Sequence, residues 1–307
     1  MVLIIIVSIL AIFLIGVILY FFSYAFVKKG ADNSNDPNDS ISKILEEYKE
    51  DIQKGMDYAN LRNPVWVETV SFDGLHLKAR YFDNKSDKTI LLFHGYRSSA
   101  LRDFSCAIKM YTDFGFNILL CDQRSHGRSE GKLITFGVKE SRDVVSWAEY
   151  VNDVYGPEKI VLDGLSMGAT TVILACGLNL PENVKAVIAD CGFTSPSDIM
   201  KKVGKQDFGI NAGFFLPVLD LACRIIGKFS FINISTVDVL KKSKLPVLFI
   251  HGEDDGYVPC EMSKIGFESA PDGSEIITVP GANHGLSFLV DEKGVRGAVE
   301  SFLCKNL

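Results

Sequence analysis

The chain has 307 residues, 47% of them hydrophobic, and a formal net charge of −6. This length and composition are enough to bury the core of one large domain. Because phosphate binding needs clustered positive charge and no run of Lys and Arg occurs, the sequence argues against nucleic acid as a partner.

The first predicted element is a membrane-spanning helix. Residues 2–27 contain no charged side chain and are long enough to cross a bilayer. A cleaved signal peptide is the alternative, but the segment has no basic leader, its apolar run is too long, and no small-residue cleavage site precedes Lys28. We therefore predict an uncleaved anchor over residues 1–27, which makes membrane lipid a partner.

Two features predict the side of the membrane on which the domain lies. Lys28 and Lys29 follow the span, and positively charged flanks favour the cytoplasm. The seven cysteines are widely spread, without the spacing of metal sites, as expected of free thiols in a reducing compartment. Asn-x-Ser tripeptides at Asn38, Asn84 and Asn233 would matter only in a eukaryotic lumen. We predict a single-pass membrane protein with a cytoplasmic domain.

Residues 28–60 are predicted to join the anchor to the domain. Residues 30–39 are polar and rich in turn formers, which is typical of a linker. Apolar residues then recur at helical spacing, at positions 41, 44, 45, 48, 52 and 56. This stripe predicts an amphipathic helix that packs on the domain or lies near the membrane.

From residue 61 to residue 307 the pattern predicts one α/β domain. An antiparallel hairpin around Asp73 and Gly74 precedes apolar runs that alternate with helical stretches. Such an order indicates a mostly parallel sheet with helices on both faces and ligands at the C-terminal strand ends. The eight predicted strands are VWVETVSF, HLKARYF, TILLFHG, FNILLCD, KIVLDGL, VKAVIAD, PVLFIHG and EIITVP.

The turn Gly164-Leu165-Ser166-Met167-Gly168 joins the strand KIVLDGL directly to a helical run. So tight a turn strains the backbone, and its glycines permit close approach while the serine is lifted to the edge of the sheet. A serine hydroxyl also needs a base to take its proton and an acid to orient that base. The turn predicts that Ser166 is a nucleophile.

A stretch too long for a bare loop, residues 196–243, separates VKAVIAD from PVLFIHG. Residues 208–231 are apolar enough for a second span, but Pro217 interrupts them, and Asp220 and Arg224 can pair at i, i+4 on a helix. We predict a helical cap over the active site. Its apolar wall, suited to an acyl chain or an apolar side chain, would consist of Phe214, Phe215, Leu216, Leu219 and Leu221.

The histidine that activates the serine is expected to follow it in the chain, after the acid. This order excludes His76, His94 and His126. His251 closes the strand PVLFIHG, where only the preceding loops could supply an acid, whereas His284 follows a further strand in a Gly-flanked loop. His284 is therefore the predicted base.

Four carboxylates are candidates for the acid. Glu253, Asp254 and Asp255 lie together in the loop after PVLFIHG, and Asp190 ends the preceding strand VKAVIAD. Adjacent carboxylates usually mark a solvated turn, so composition does not choose among them.

Five landmarks occur in a fixed order: HGY at 94–96, DQRSHGRS at 122–129, GLSMG at 164–168, HGEDDGYVP at 251–259 and NHG at 283–285. With them, the chain from about residue 63 resembles the α/β-hydrolase superfamily, particularly its serine aminopeptidase-like and bacterial membrane-anchored esterase-like groups. In the family pattern H-G-x-x-D-x-x-V-P the acid falls on Asp255. The loop DQRSHGRS departs from the family's D-x-R-G-x-G-x-S at Ser125 and His126, where the family's loop supports the site.

The resemblance implies an eight-stranded hydrolase fold with a helical cap and no metal or cofactor. The oxyanion donors would be the backbone N–H groups of Met167, at a helix start, and Tyr96. We predict a membrane-anchored serine hydrolase that cleaves carboxylic ester or thioester bonds of apolar acyl substrates, which are small molecules, through an acyl-enzyme on Ser166. Because a Ser-His-Asp triad attacks either carbonyl, a serine aminopeptidase acting on short peptides is an alternative. A catalytically silent fold used for binding is the other.

Overall fold

The computed structural model describes residues 1–28 and 46–307. Lys29, the linker predicted over residues 30–39, the tripeptide at Asn38 and the first three apolar positions of the predicted amphipathic helix lie outside the described residues.

Eight strands form a single sheet. In chain order they are β1 (Val65–Val70), β2 (His76–Phe82), β3 (Lys88–Phe93), β4 (Asn117–Cys121), β5 (Lys159–Leu165), β6 (Val184–Asp190), β7 (Val247–Gly252) and β8 (Glu275–Val279). Their spatial order is β1-β2-β4-β3-β5-β6-β7-β8, in which β2 is antiparallel to both of its neighbours, β1 and β4, and every later pair is parallel. The predicted mostly parallel eight-stranded sheet is confirmed.

Twelve α-helices lie in the described part of the chain. They are α1 (Val2–Phe26), α2 (Lys49–Leu61), α3 (Ala100–Asp103), α4 (Ser105–Asp113), α5 (Glu140–Tyr155), α6 (Met167–Ala175), α7 (Pro196–Phe208), α8 (Leu216–Ala222), α9 (Thr236–Leu240), α10 (Glu261–Glu268), α11 (Ser287–Val290) and α12 (Glu292–Asn306). Short 3-10 turns occur at Glu46–Tyr48 and Ala212–Phe214, and a π-helical turn at Cys223–Gly227.

Alternate residues of each strand point to opposite faces of the sheet, so the central strands supply two cores. Ile90 and Leu92 of β3 pack in the core that contains α2, α4 and α12. Leu91 and Phe93 pack in the core that contains α5 and α6. Both faces are therefore buried, which explains why the central strands are continuous apolar runs rather than alternating ones.

The described part of the predicted amphipathic helix packs on the domain. Ile52, Met56 and Ala59 of α2 are buried beside α4. A side chain at Gly55 would overlap the backbone of Ser105, so glycine allows the two helices to approach closely.

A third core joins the end of α1 to the segment between β6 and β7. Residues 2–16 of α1 are exposed, but Phe22 and Phe26 are buried with apolar side chains of α7 and α8. The ring of Phe26 contacts those of Phe136, Phe229 and Phe231. The last turns of the apolar N-terminal helix are therefore packed into the domain.

The segment between β6 and β7 is a group of short helices, α7 to α9. Arg224 Nε donates to Asp220 Oδ2 at 2.7 Å, and the same carboxylate accepts from the backbone N–H of Phe231 at 2.8 Å. Of the described residues, only Val2–Phe26 form a helix long and apolar enough to cross a membrane, judged by length and composition. Helices α7 to α9 therefore occupy the segment for which a cap was predicted, and this segment is called the cap below.

Candidate active site

The turn between β5 and α6 holds Ser166 in a strained conformation. Its φ of 56° and ψ of −113° lie in a region that L side chains rarely adopt. A side chain at Gly164 would overlap the backbone of Gly168, and one at Gly168 would overlap the carbonyl of Phe93. The two glycines therefore let α6 start against β3 and β5, which lifts Ser166 above the strand ends.

Ser166, His284 and Asp255 are brought together from the loops that follow β5, β8 and β7. His284 Nε2 lies 2.9 Å from Ser166 Oγ, and His284 Nδ1 lies 2.7 Å from Asp255 Oδ2. Because a carboxylate only accepts hydrogen bonds, Nδ1 carries the proton and Nε2 is free to accept from the serine hydroxyl. This is the geometry of a nucleophile, a base and an orienting acid.

The surroundings of Asp255 favour its ionised form. Burial alone would raise the pKa of this carboxyl, but hydrogen bonds from His251 and His284 and from the backbone hold the pKa well below its usual range. Asp255 Oδ1 accepts from the N–H groups of Tyr257 and Val258 at 2.8 and 2.7 Å. Asp255 therefore carries a negative charge at every pH where the protein would work.

The other candidate acids are placed differently. Glu253 and Asp254 are exposed, and Glu253 accepts from the hydroxyl of Thr278 at 2.7 Å. Asp190 Oδ1 accepts from Ser287 Oγ at 3.4 Å. Among the described hydrogen bonds, Asp255 is the carboxylate that pairs with His284.

His251 is a further residue at the site, considered from the sequence only as a rival base. Its Nε2 lies 3.1 Å from Asp255 Oδ2 and 2.9 Å from the carbonyl oxygen of Val258, and its Nδ1 lies 2.7 Å from Ser263 Oγ. Two acceptors facing Nε2 require that atom to carry a proton, so Nδ1 accepts from the Ser263 hydroxyl in the neutral ring. Asp255 is thus held by two imidazoles.

The predicted oxyanion donors come from the start of α6 and from the loop after β3. Met167 is the first residue of α6, so its N–H has no acceptor within the helix. Tyr96 follows β3 in the loop beside the serine. Among the backbone hydrogen bonds of the described residues in loops and caps, none is donated by the N–H of Tyr96 or of Met167. Both groups are available to an incoming ligand.

Two side chains hold the loop that contains Tyr96. Asp103 Oδ2 accepts from the N–H of Gly95 at 2.9 Å. His126 Nε2 accepts from the N–H of Arg97 at 3.1 Å, while its Nδ1 lies 2.9 Å from the carbonyl oxygen of Arg124 and donates to it. The unusual His126 of the loop DQRSHGRS therefore positions the residue next to Tyr96.

His94 has a structural role at the end of β3. Its Nε2 accepts from the N–H of Gln123 at 3.1 Å, and its Nδ1 donates to the carbonyl oxygen of Gly95 at 2.8 Å. Burial lowers the pKa of His94 to about 4, so the ring is neutral at physiological pH.

Comparison with known proteins adds the family. A family model described as the alpha/beta hydrolase fold matches residues 88–232. The chain has the α/β-hydrolase fold. The resemblance found in the sequence is confirmed.

Curated relatives and solved structures are similar to this hydrolase over most of its length. The uncharacterized protein YqkD of Bacillus subtilis is 26% identical over 216 residues, which are 70% of each chain. Protein bem46 of Schizosaccharomyces pombe is 27% identical over 61% of each chain. The Pyrococcus furiosus esterase Pf2001 superposes with a TM-score of 0.64 and 24% identity, covering 80% of this chain and 95% of its own. Est1E of Butyrivibrio proteoclasticus, solved with ferulic acid, has a TM-score of 0.59, 20% identity and coverage of 78% and 99%.

A cavity of about 620 Å³ opens at Ser166 and His284 of the hydrolase. Most of its wall is apolar and comes from one face of the sheet and from α2, α4, α11 and α12. Members of this wall include Ile52, Met110, Leu165, Ile188, Phe288 and Val299.

The expectation that the cap supplies the apolar wall of this cavity is wrong. Phe214 and Leu221 are exposed, and Phe215, Leu216 and Leu219 pack in the core around α1. The reason is that the end of α1 offers these cap side chains a large apolar surface. The cavity is lined instead by α2, α4, α11 and α12.

The carboxyl groups of Asp163, which is buried, and of Asp190, which is partly exposed, also line the cavity. Burial raises the pKa of Asp163 to about 7 and that of Asp190 to about 6. The hydroxyl of Tyr111 donates to Asp163 Oδ2 at 2.6 Å. Near neutral pH these groups are therefore partly protonated, which makes the cavity less negative than its composition suggests.

One group of side chains in the described part of the chain has ligand atoms close enough for a metal ion. Cys191, Asp255 and His284 place these atoms within 4.8 Å of one another. Burial raises the pKa of the Cys191 thiol well above its usual value, so it stays protonated and ligates poorly. Asp255 and His284 are hydrogen-bonded to each other, so the set fits a hydrolytic triad better than a metal site.

Proposed function

We propose that this α/β hydrolase is a membrane-anchored serine hydrolase that cleaves carboxylic ester or thioester bonds of apolar acyl substrates. The observation that carries the proposal is the hydrogen-bonded chain Ser166, His284 and Asp255 at the mouth of a largely apolar cavity. No cofactor takes part in the proposed reaction.

The proposed reaction proceeds through an acyl-enzyme. Ser166 Oγ attacks the carbonyl carbon as its proton moves to His284 Nε2, and the resulting oxyanion accepts from the N–H groups of Tyr96 and Met167. The bond to the leaving oxygen or sulfur then breaks, and His284 protonates the departing alcohol or thiol. Water attacks the acyl-enzyme, gives a proton to His284 and releases the carboxylic acid as Ser166 regains its hydrogen. Asp255 stays ionised and stabilises the imidazolium.

The cavity supports an apolar acyl group over a peptide. An aminopeptidase needs fixed negative charge for the substrate's ammonium group, whereas Asp163 is buried and its pKa is raised to about 7. Asp163 is also engaged by Tyr111. An acyl chain would instead be surrounded by the apolar wall described above.

The end of α1 supports retention of the N-terminal helix as an anchor. Removing it as a signal peptide would take Phe22 and Phe26 out of a core. All seven cysteines lie in the described part of the chain with free thiols, which agrees with a domain in the cytoplasm.

A fluorophosphonate probe and a substrate panel test the proposed function. Wild-type protein is expected to be labelled at Ser166 and to hydrolyse p-nitrophenyl esters of rising chain length faster than aminoacyl-nitroanilides. Folded protein that is not labelled would support a binding role, and faster cleavage of the nitroanilides would support a peptidase.

A further inference from the structure

A second, smaller apolar cavity lies between the end of α1 and the cap. It has a volume of about 110 Å³ and is lined by Phe21 and Ala25 of α1 and by Val203, Leu216 and Leu219 of the cap. None of these five side chains lines the larger cavity at Ser166. The small cavity is thus bounded on one side by the helix proposed to cross the membrane.

The small cavity adjoins the mouth of the larger one. Tyr96, Arg97 and Tyr257 line both cavities. Tyr96 carries one of the proposed oxyanion donors, and the ring of Tyr257 lies 5.2 Å from that of His284, centre to centre. A chain leaving the small cavity past these three residues would therefore arrive at the serine.

Hydrogen bonds fix the end of α1 against this mouth. The hydroxyl of Tyr96 donates to the carbonyl oxygen of Ala25 at 2.7 Å. The guanidinium of Arg97 donates to the carbonyl oxygens of Tyr24 at 2.6 Å and Val27 at 3.1 Å. Carbonyl oxygens in the last turn of a helix accept no hydrogen bond from an N–H of the same helix. The Tyr96 and Arg97 donors satisfy these oxygens and fix the end of α1 beside the mouth of the larger cavity.

The outer surface of the cap is apolar next to α1. Phe214, Val218, Leu221 and Ile225 recur at helical spacing and are exposed by 89, 39, 56 and 71%. The opposite side of α8 packs against α1, so this helix is apolar on both sides. The exposed apolar side of such a helix indicates contact with a second apolar partner. This exposed stripe lies beside a helix that is long enough to cross a membrane.

We propose that the cavity between α1 and the cap is a lateral entrance through which the acyl chain of a membrane lipid ester passes from the bilayer to Ser166. The proposal rests on the proposed serine hydrolase function and on anchoring by α1. In this arrangement the stripe from Phe214 to Ile225 enters the membrane leaflet nearest the domain. It holds the entrance at the depth of the acyl chains. The substrate class is therefore an ester of a long acyl chain delivered from the membrane rather than from water.

The test compares two esters on the full-length protein in phosphatidylcholine vesicles. p-Nitrophenyl palmitate is supplied within the bilayer and p-nitrophenyl acetate in the water. Val203→Trp fills the entrance and is expected to lower the ratio of palmitate to acetate turnover by roughly tenfold, since only the long chain needs this path. Lys205→Trp, exposed on the same helix, is the matched control and leaves the ratio unchanged.

A second variant guards against misfolding of the first. Phe214→Asp changes a side chain that is 89% exposed, so it does not disturb packing, but the charge opposes burial of the cap in the bilayer. It is expected to lower the same ratio, whereas Val154→Asp, an exposed apolar position on α5, is not. A loss of both activities in Val203→Trp leaves the decision to Phe214→Asp.

The outcomes separate the entrance from the function on which it rests. Active wild-type protein whose ratio is unchanged in Phe214→Asp and in folded Val203→Trp overturns the lateral entrance alone. Wild-type protein that hydrolyses neither ester and does not react with a fluorophosphonate overturns the proposed function, and the entrance with it.

Discussion

At the scale of single residues, the nucleophile is the sharpest prediction. Ser166→Ala is expected to abolish ester turnover and fluorophosphonate labelling while the thermal midpoint stays close to that of the wild type, because one oxygen forms the covalent bond. Ser146→Ala on α5 is the control and keeps full turnover. Turnover at the wild-type rate in Ser166→Ala would mean that another group attacks the substrate.

A second prediction at this scale separates the acids. Asp255→Asn should lower kcat by about 10⁴, since the amide no longer holds His284 in the useful tautomer. Asp254→Asn is the matched control, because its side chain is exposed and next in sequence, and it should cost far less. Steady-state rates on a soluble ester measure both. A larger loss in Asp190→Asn than in Asp255→Asn would assign the acid to β6.

The site residues differ in how visible they are in the sequence. Ser166 and His284 follow from chain order and from the glycines around them, and Asp255 needed the family pattern to choose among adjacent carboxylates. His126 and His251 could not be predicted in their observed positions, because their partners are a backbone N–H and a carboxylate brought close only by folding. An isolated histidine carries no sequence signal for such a contact.

At the scale of elements, β5 carries a buried acid whose ionisation opposes folding. Because burial raises the pKa of Asp163 to about 7, the folded state holds a proton that the unfolded state releases above pH 3.8. The stability that this proton contributes is complete below pH 3.8 and is lost as the pH rises to about 7. Asp190, whose pKa is raised to about 6, acts in the same direction.

Asp163→Asn isolates the contribution of that one acid. An amide does not ionise, so the variant should gain stability relative to the wild type by on the order of 1–3 kcal/mol between pH 5 and pH 8. Thermal or denaturant unfolding of the detergent-solubilised protein at the two pH values measures the difference, and the Asp190 contribution is present in both proteins. A pH-independent difference would show that Asp163 is ionised in the folded state throughout this range.

The end of α1 is the element whose role the sequence concealed. A helix that is apolar on every side has no amphipathic pattern, so nothing in residues 2–27 distinguishes the side that packs on the cap from the sides that stay exposed. The same limit explains the wrong prediction for the cap: an apolar stripe shows that Leu216 and Leu219 are buried, but not against which neighbour. The strands were predicted well because continuous apolar runs separated by helical stretches indicate a mostly parallel sheet.

The packing of α1 gives a prediction that a simple tether would not. Phe26→Ala is expected to destabilise the protein by about 3–5 kcal/mol, because a fully buried ring is removed from a core of aromatic side chains. Phe13→Ala, at a ring that is 70% exposed on the same helix, should leave stability unchanged. Unfolding in detergent measures both variants. Equal midpoints for the two would mean that α1 is separate from the domain in solution.

At the scale of the whole molecule, α1, the cap and the candidate active site form one arrangement. The end of α1, the cap and the mouth of the cavity lie next to one another. Tyr96 and Arg97 connect them, because both residues bind the end of α1 and line the cavity. As the proposed membrane anchor, α1 would therefore set the orientation of the candidate active site toward the membrane as well as its location.

The side of the membrane is the last prediction. Lys28 and Lys29 follow the span, and positively charged flanks favour the cytoplasm, so the domain is expected there. Cys304 is a free, exposed thiol on α12 and reports directly on this arrangement. In intact cells a membrane-impermeant maleimide should leave Cys304 unlabelled and should react with it after permeabilisation.

Cys304→Ser identifies the signal, and Val2→Cys, at the other end of the span, should give the reverse result. Labelling of Cys304 before permeabilisation would place the domain outside the cytoplasm, and the free cysteines would then exist in an oxidising compartment.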